Sequence, residues 1–107
     1  MADLALTEVQ NGGHFALRVG DAVVITLAEG AGGYRWSIVS LDQAFLAVES
    51  HHYEAGRGGV GSAGSAEWRL RARREGRTGI ELRKSRPWEA ADTAIERFTV
   101  SLDVRGG

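Results

Sequence analysis

Few side chains of this sequence could serve as a nucleophile, a general base or a metal ligand. The chain contains no cysteine, which excludes thiolate nucleophiles, disulfides and cysteine-ligated metals. Histidine, the side chain that most often acts as a base near neutral pH, occurs only at His14, His51 and His52. His51 and His52 are neighbours in an expected strand, so their side chains point to opposite faces and do not readily share a metal ion. No serine lies in a nucleophile-elbow motif and no paired carboxylates are visible, so we expect no catalysis and no metal or cofactor.

A binding role is better supported, and it would involve three segments that lie between expected strands. The first segment, Glu29–Tyr34, contains three glycines, and the absence of side chains lets a backbone approach another surface closely. It lacks the Lys-Ser/Thr pair of a phosphate-binding loop and precedes a strand, so phosphate binding is not expected. The alternative is a flexible hairpin connection with Tyr34 and Trp36 packed at its base, Trp36 being part of the core.

The second segment, Gly56–Ser65, is long for a connection and nearly free of bulky side chains. Such a chain can lie extended in a narrow groove, where its backbone N–H and C=O groups make main-chain hydrogen bonds to the partner. The alternative interpretation is a surface loop without a role.

The third segment, Ser85–Glu89, contains the only proline of the chain, Pro87. Proline fixes its own φ and pushes the preceding Arg86 toward an extended conformation. Trp88 then lies in a loop, where a large aromatic side chain near an arginine suits a binding anchor. The alternative is that Trp88 folds back onto the protein as a hydrophobic lid.

Strands are expected to hold these segments, since hydrophobic residues alternate with polar ones along most of the chain. Successive side chains of a strand point to opposite faces, so this alternation is typical of strands buried on one side. The expected strands are residues 15–19, 23–27, 35–39, 45–53, 67–73, 78–83 and 97–105. No segment shows a sustained helical period, and Trp88–Ile95 is expected to be a loop. Seven short strands with turns between them predict an all-β, immunoglobulin-like β-sandwich of about seven to eight strands.

The length of 107 residues fits a single domain. We expect the core of this domain at about residues 14–104, with frayed termini. The N-terminus has neither a basic region nor a continuous apolar region, so no signal peptide is expected, and no apolar run is long enough to span a membrane. Localisation therefore stays open between the cytoplasm and, if a leader has been removed, the periplasm or the exterior.

Charge is unevenly distributed along the chain, although the net charge is only −1. Residues 1–56 carry two Arg against seven acidic residues, a balance of −5, and residues 57–107 carry eleven basic against seven acidic residues, a balance of +4. A row of Arg69, Arg71, Arg73 and Arg83 on one sheet face would favour nucleic acid as a partner. No exposed aromatics that could stack on bases are interleaved with these arginines, so this interpretation ranks last, behind solvated strand faces.

The order of these motifs resembles the chagasin-like inhibitors of papain-like cysteine peptidases. The similarity extends over about residues 14–104 and includes Gly33-Tyr34-x-Trp36, the loop Val60–Gly64, Trp68, Arg86-Pro87-Trp88 and Phe98-Thr99-Val100. The resemblance implies three loops gathered at one end of the sandwich, forming a wedge that plugs the active-site cleft of the peptidase. The contact residues that it implies are Ala31, Gly32, Gly33, Tyr34, Gly59, Val60, Gly61, Ser62, Ala63, Gly64, Arg86, Pro87 and Trp88.

One departure from the family concerns the first segment, which in the family typically reads Asn-Pro-Thr-Thr-Gly-Tyr. Here Gly30 replaces the proline and both threonine hydroxyls are absent, and each lost hydrogen bond would weaken binding by ~0.5–1.5 kcal/mol. Glu29 would also place a carboxylate near the thiolate of the enzyme, which is unfavourable. We therefore expect weak inhibition or an unusual target.

The function expected from the sequence is reversible, non-covalent inhibition of a papain-like cysteine peptidase. The inhibitor would be a monomer without catalytic activity, and neither nucleic acid nor a membrane is expected as a partner. The alternative is a β-sandwich interaction module that has kept the fold but has lost peptidase inhibition.

Overall fold

Eight β-strands form most of the structure in the computed structural model, which describes residues 3–29, 33–54, 64–86, 88 and 94–106. In chain order they are β1 (Asp3–Leu6), β2 (His14–Arg18), β3 (Ala22–Ala28), β4 (Arg35–Leu41), β5 (Leu46–Glu54), β6 (Ser65–Ala72), β7 (Gly76–Ser85) and β8 (Glu96–Arg105). A short 3-10 turn, Glu8–Gln10, lies between β1 and β2. Within the described ranges, no helix is long and apolar enough to cross a membrane.

The strands form two four-stranded sheets packed face to face. The first sheet has the order β1-β3-β6-β5 and the second has the order β2-β8-β7-β4. Most neighbours are antiparallel, but β1 runs parallel to β3 and β2 runs parallel to β8. This arrangement confirms the immunoglobulin-like β-sandwich that the alternating sequence predicts.

All seven strands expected from the sequence are present, although their ends shift by a few residues. The eighth, β1, was not expected, because a run of four residues is too short to show a clear alternation. Its Leu6 is nevertheless fully buried, since the parallel pairing with β3 places Leu6 beside Ile25 in the first sheet. Ile95 precedes β8 without joining it, and much of the expected loop 88–95 lies outside the described residues.

The core lies between the two sheets and follows from the period-two alternation. In β6, Trp68, Leu70 and Ala72 are buried, whereas the residues between them are partly exposed. In β8, Phe98 and Leu102 face the core from the opposite sheet. Each fully buried large side chain stabilises the fold by about 1.5–3 kcal/mol relative to its exposed state, so the sheets are held together chiefly by this layer.

The edge strands β4 and β5 each contain one extra residue. The register shifts between Ile38 and Ser40 in β4, and between Val48 and Ser50 in β5. Such bulges bend an edge strand and break its regular row of unpaired backbone groups. In β5 the bulge also shifts the pairing with β6 by one residue, and His51 thereby lies opposite Trp68.

Three connections leave and re-enter the sandwich at one end, the loop end. Antiparallel pairing brings the last residues of β3, β5 and β7 to the same end as the first residues of β6, β4 and β8. The strand residues at the loop end are Ala28, Arg35, Glu54, Ser65, Ser85 and Glu96. The indole N–H of Trp36 in β4 donates to the carbonyl oxygen of Ala28 in β3 at 2.9 Å, which joins the two sheets there. The described residues that flank the three candidate binding segments therefore share one end of the molecule.

Candidate functional site

Five of the contact residues expected from the sequence are described, and they all lie at the loop end. They are Gly33, Tyr34, Gly64, Arg86 and Trp88. The other eight, Ala31, Gly32, Gly59, Val60, Gly61, Ser62, Ala63 and Pro87, lie outside the described residues.

Residues of the first and third segments meet in the Arg86 cluster, formed by Tyr34, Arg86 and Trp88. The guanidinium carbon of Arg86 lies 4.6 Å from the centroid of the Tyr34 ring and 5.9 Å from that of the Trp88 ring. A cation over an aromatic face at an exposed site stabilises the arrangement by about 0.5–1 kcal/mol. The Trp88 side chain remains 73% exposed. Trp88 is therefore not a buried lid, and it presents a large apolar surface beside a positive charge.

Gly33 lets the first segment pass close to Trp88. Its φ is +80°, a backbone conformation that a residue with a side chain rarely adopts. A Cβ atom at this position would also lie 3.1 Å from Cη2 of Trp88. Two features therefore favour glycine at this position: the positive φ of its backbone and the closeness of the Trp88 indole.

Both ends of the first segment are joined by the Glu29 clamp, formed by Glu29, Arg35 and Trp36. The Glu29 side chain is only 4% exposed. Its Oε2 accepts the backbone N–H of Trp36 at 2.8 Å, and its Oε1 accepts a guanidinium N–H of Arg35 at 3.2 Å. A buried carboxylate is stable only with such partners.

The Glu29 clamp bears on an expectation from the sequence about the peptidase complex. A carboxylate at this position was expected to approach the thiolate of an enzyme, but in the structure the Glu29 carboxylate is buried against β4. In the free protein this carboxylate is paired with Arg35, and its approach to a peptidase thiolate stays a prediction.

The clamp also connects the first segment to the second. The backbone N–H of Glu29 donates to the carbonyl oxygen of Gly64 at 2.9 Å. The guanidinium of Arg35 lies 4.6 Å from the centroid of the Tyr53 ring, at the end of β5. A Cβ atom at Gly64 would overlap the Tyr53 hydroxyl, so the second segment re-enters the sheet in direct contact with that side chain.

The base of the third segment is closed by Lys84. This residue is only 8% exposed, and its Nζ lies 3.4 Å from Oε1 of Glu96 and 5.8 Å from the centroid of the Trp36 ring. The backbone N–H of Ile95 donates to the Lys84 carbonyl at 2.9 Å. Trp36, 4% exposed, therefore lies between the bases of the first and third segments, which confirms its expected place in the core.

The four arginines that the last-ranked interpretation placed in one row do not share a sheet face. Arg69 and Arg71 lie on β6 of the first sheet, whereas Arg83 lies on β7 of the second. Arg69 bonds both carboxylate oxygens of Asp3, and Arg71 donates to Glu49 at 2.8 Å. The hydrogen bond from Arg71 lowers the pKa of the Glu49 carboxyl and correspondingly raises the pKa of Arg71. The sequence suggested one face because both strands alternate, but alternation does not say which sheet a strand joins.

The histidines of β5 do make contacts, on opposite faces of their strand as predicted. The His51 ring stacks on Trp68 with centroids 4.5 Å apart, and Nε2 of His52 lies 3.4 Å from Glu67 Oε1. Among the described residues, no group of three or more His, Cys, Asp or Glu side chains could hold a metal ion.

Sequence reasoning missed several residues of the loop end. Tyr53 and Arg35 were assigned only to strands, yet their contact fixes the bases of two segments to each other. The sequence did contain a signal for an ion pair across the first segment, since acidic Glu29 follows β3 and basic Arg35 begins β4. No comparable signal pointed to Glu8, whose Oε1 accepts the backbone N–H of Ala28 beside the clamp.

Comparison with known families decides what kind of protein has this geometry. Residues 16–102 match the model of the chagasin family of peptidase inhibitors, I42. The chain belongs to this family. No curated protein sequence gave a significant match.

Two solved structures share the complete fold of this chagasin family member. A cysteine protease inhibitor from Entamoeba histolytica, EhICP2, superimposes with a TM-score of 0.88 at 27% identity, covering 97% of this chain and 96% of its own. The solution structure of amebosin gives a TM-score of 0.77 at 25% identity, covering 95% of this chain and 97% of its own. The resemblance stated from the motifs is thus confirmed at the level of the family and the fold.

Proposed function

We propose that this protein is a reversible, non-covalent inhibitor of papain-like cysteine peptidases, and that the three segments of the loop end occlude the active-site cleft. The observation that carries the proposal is the Arg86 cluster. It combines an exposed tryptophan with a stacked arginine at the end where the three segments originate, in a chain of a peptidase-inhibitor family. The structurally similar protein from Entamoeba histolytica is named a cysteine protease inhibitor.

The physical basis of the inhibition is a low cost of ordering. Association costs free energy wherever loops and side chains become fixed, and a surface that is already fixed loses less. The Glu29 clamp joins the two ends of the first segment, the Glu29–Gly64 hydrogen bond ties the end of the second to it, and Lys84 pairs with Glu96 at the base of the third. Occlusion by such a surface needs no chemical step from the inhibitor, so the protein would not be an enzyme.

The proposed contact surface has an anchor and a backbone part. Trp88 and Arg86 would be the anchors, because large aromatic and arginine side chains dominate most interfaces. The backbone of the glycine-rich segments would contribute main-chain hydrogen bonds. The proposed contact residues are those implied by the resemblance: Ala31, Gly32, Gly33, Tyr34, Gly59, Val60, Gly61, Ser62, Ala63, Gly64, Arg86, Pro87 and Trp88. One monomer would block one peptidase molecule.

A titration of the protein into papain and into a cathepsin L-type peptidase tests this proposal. We expect saturable, reversible inhibition, and we expect Trp88→Ala to raise the inhibition constant by about thirtyfold or more, corresponding to an anchor worth at least about 2 kcal/mol. Val48→Ala is the matched control, because Val48 is 45% exposed on β5, away from the loop end. Equal inhibition by the Trp88 and Val48 variants would remove Trp88 from the contact surface.

A second candidate function is a protein-interaction module that recognises another partner through the same end. It is favoured by the first segment, which lacks the proline and the two threonines typical of the family. Absence of inhibition across a panel of papain-like peptidases, for a protein with a cooperative unfolding transition, would favour this second candidate.

A further inference from the structure

We propose that Glu29 is a positioning residue, which fixes the ends of the first and second segments to each other before a peptidase binds. This inference rests on the proposed function and deepens it. It concerns a residue that replaces the asparagine typical of the family at the start of the first segment, and that the contact residues do not include.

Two bonds of the Glu29 carboxylate close the first segment. The segment begins at Glu29 and ends where β4 begins, and the carboxylate bonds the backbone N–H of Trp36 and the guanidinium of Arg35. The indole N–H of Trp36 also donates to the carbonyl oxygen of Ala28, which is a second link between the ends of β3 and β4. The two strand ends that flank a glycine-rich connection are thereby held at a fixed separation.

Two further contacts extend this closure to the second segment. The Glu29 backbone N–H donates to Gly64, the residue with which the second segment re-enters β6. Arg35, oriented by the Glu29 carboxylate, lies over the Tyr53 ring, and Tyr53 in turn contacts the position of Gly64. One carboxylate therefore orients groups that touch both segments.

Because Glu29 is buried, its carboxylate has one defined set of hydrogen-bond partners. A carboxylate that is 4% exposed has little access to water, so as long as it stays buried its hydrogen-bonding needs are met by Trp36 and Arg35. A connection with three glycines gains nothing of this kind from its own residues, because glycine leaves the backbone many conformations. Glu29 thus holds the ends of a connection that lacks the proline typical of the family.

The experiment compares Glu29→Ala and Glu29→Gln with the wild-type protein in peptidase inhibition and in amide hydrogen exchange of the free protein. Glu81→Ala is the control, since Glu81 accepts a hydrogen bond from Arg83 and forms an ion pair with Arg97 on the outer face of the second sheet. We expect Glu29→Ala to raise the inhibition constant about tenfold, which reflects loss of the hydrogen bonds to a buried charge. Glu29→Gln retains an acceptor for Trp36 and should raise it only about threefold.

The hydrogen-exchange measurement distinguishes two effects of Glu29→Ala. One is the loss of a single hydrogen bond to Trp36, and the other is the loss of the coupling between the two segments. In Glu29→Ala the Trp36 amide loses its acceptor, so its faster exchange is expected on either view. The amide of residue 29 keeps its acceptor at Gly64, so its faster exchange occurs only if the carboxylate couples the two segments. The Leu102 amide, in the middle of β8, should stay unchanged in all variants.

The possible outcomes distinguish this inference from the proposed function. If the wild type inhibits and Glu29→Ala inhibits equally well, Glu29 is not a positioning residue. If the wild type inhibits no peptidase, the proposed function fails, and the residue 29 amide alone decides: faster exchange supports the coupling and unchanged exchange overturns it. If Glu29→Ala does not fold, Glu29→Gln replaces it, and a wild-type result in both measurements overturns the inference.

Discussion

The Glu29 clamp and the Arg86 cluster both join parts of the loop end, but they differ in how they meet water. The clamp uses a buried carboxylate with a fixed set of hydrogen bonds, whereas the cluster uses a cation that contacts two aromatic side chains, one of them 73% exposed. A buried clamp stabilises the protein and hides its side chains, and an exposed cluster stabilises little and keeps apolar surface available. The buried hydrogen bonds of the Glu29 clamp therefore hold the strand ends together, whereas the Arg86 cluster keeps apolar surface exposed for a partner.

The sharpest test of this comparison sets the two tryptophans against each other. Trp36→Ala removes a side chain that is 4% exposed and lies between the bases of two segments, so we expect a loss of about 3–5 kcal/mol in the free energy of unfolding. Trp88→Ala should lower the same quantity by no more than about 1 kcal/mol, because it removes mostly exposed surface and one cation–π contact. Urea denaturation of both variants checks this, and similar losses for the two would show that the buried and exposed regions are not separable.

Substitution of Gly33 tests how closely the first segment must approach the cluster. Gly33→Ala places a Cβ at a φ of +80° and 3.1 Å from Trp88, and we expect it to reduce the free energy of unfolding by about 1–2 kcal/mol and to weaken peptidase inhibition. Gly12→Ala is a close control, because Gly12 has the same φ of +80° with nothing within 4 Å of its added Cβ. Thermal unfolding of both variants isolates the contact with Trp88; identical shifts would show that backbone strain is the only cost.

A smaller effect is expected from the arginine of the exposed cluster. Arg86→Met keeps a long apolar side chain but removes the charge that stacks on Tyr34 and Trp88, a loss of about 0.5–1 kcal/mol. Because the contact exists in the free protein, we expect the free energy of unfolding to fall by about the same amount, and removal of Arg86 as a proposed contact residue to raise the inhibition constant about threefold to fivefold. If Arg86→Met inhibits as the wild type does, the charge is irrelevant and Trp88 alone is the anchor.

The smallest effect is expected from an exposed acid–arginine pair, a useful contrast with the buried pair of the Glu29 clamp. The hydrogen bond from Arg71 lowers the pKa of Glu49 below its ordinary value of 4.5, so the folded state binds this proton less readily than the unfolded state. The resulting stability is present above pH 4.5 and is lost as the pH falls through the lowered pKa. Unfolding of wild type and Glu49→Gln between pH 7 and pH 3 should show a slightly shallower acid loss in the variant, and the difference should shrink at high salt. Equal slopes would mean that this exposed pair contributes nothing measurable.

The alternation of residues predicted the sandwich well, because a strand buried on one side has hydrophobic residues at every second position. Trp68, Leu70 and Ala72 alternate with charged residues, and the structure buries all three. This alternation does not indicate which strands are neighbours, so Arg83 was grouped with arginines that belong to the other sheet.

The loop end was predictable only in part. Its location follows from motif order, and Trp88 and Arg86 stand out as residue types suited to binding. The burial of Glu29 was not predictable, because a carboxylate in a glycine-rich segment usually faces water. It depends instead on a backbone N–H of Trp36 that lies close only after β3 and β4 have joined different sheets.

The direction of the outermost strands in the chain has a practical consequence. Because β1 runs parallel to β3 toward the loop end and β8 runs away from it, Asp3 and Arg105 both lie at the opposite end of the sandwich. A biotin handle, a resin or a second protein joined near either residue would stand on the far side from Trp88. The fold is thus suited to immobilisation or to assembly into multivalent fusions, with each copy keeping its loop end open to a partner.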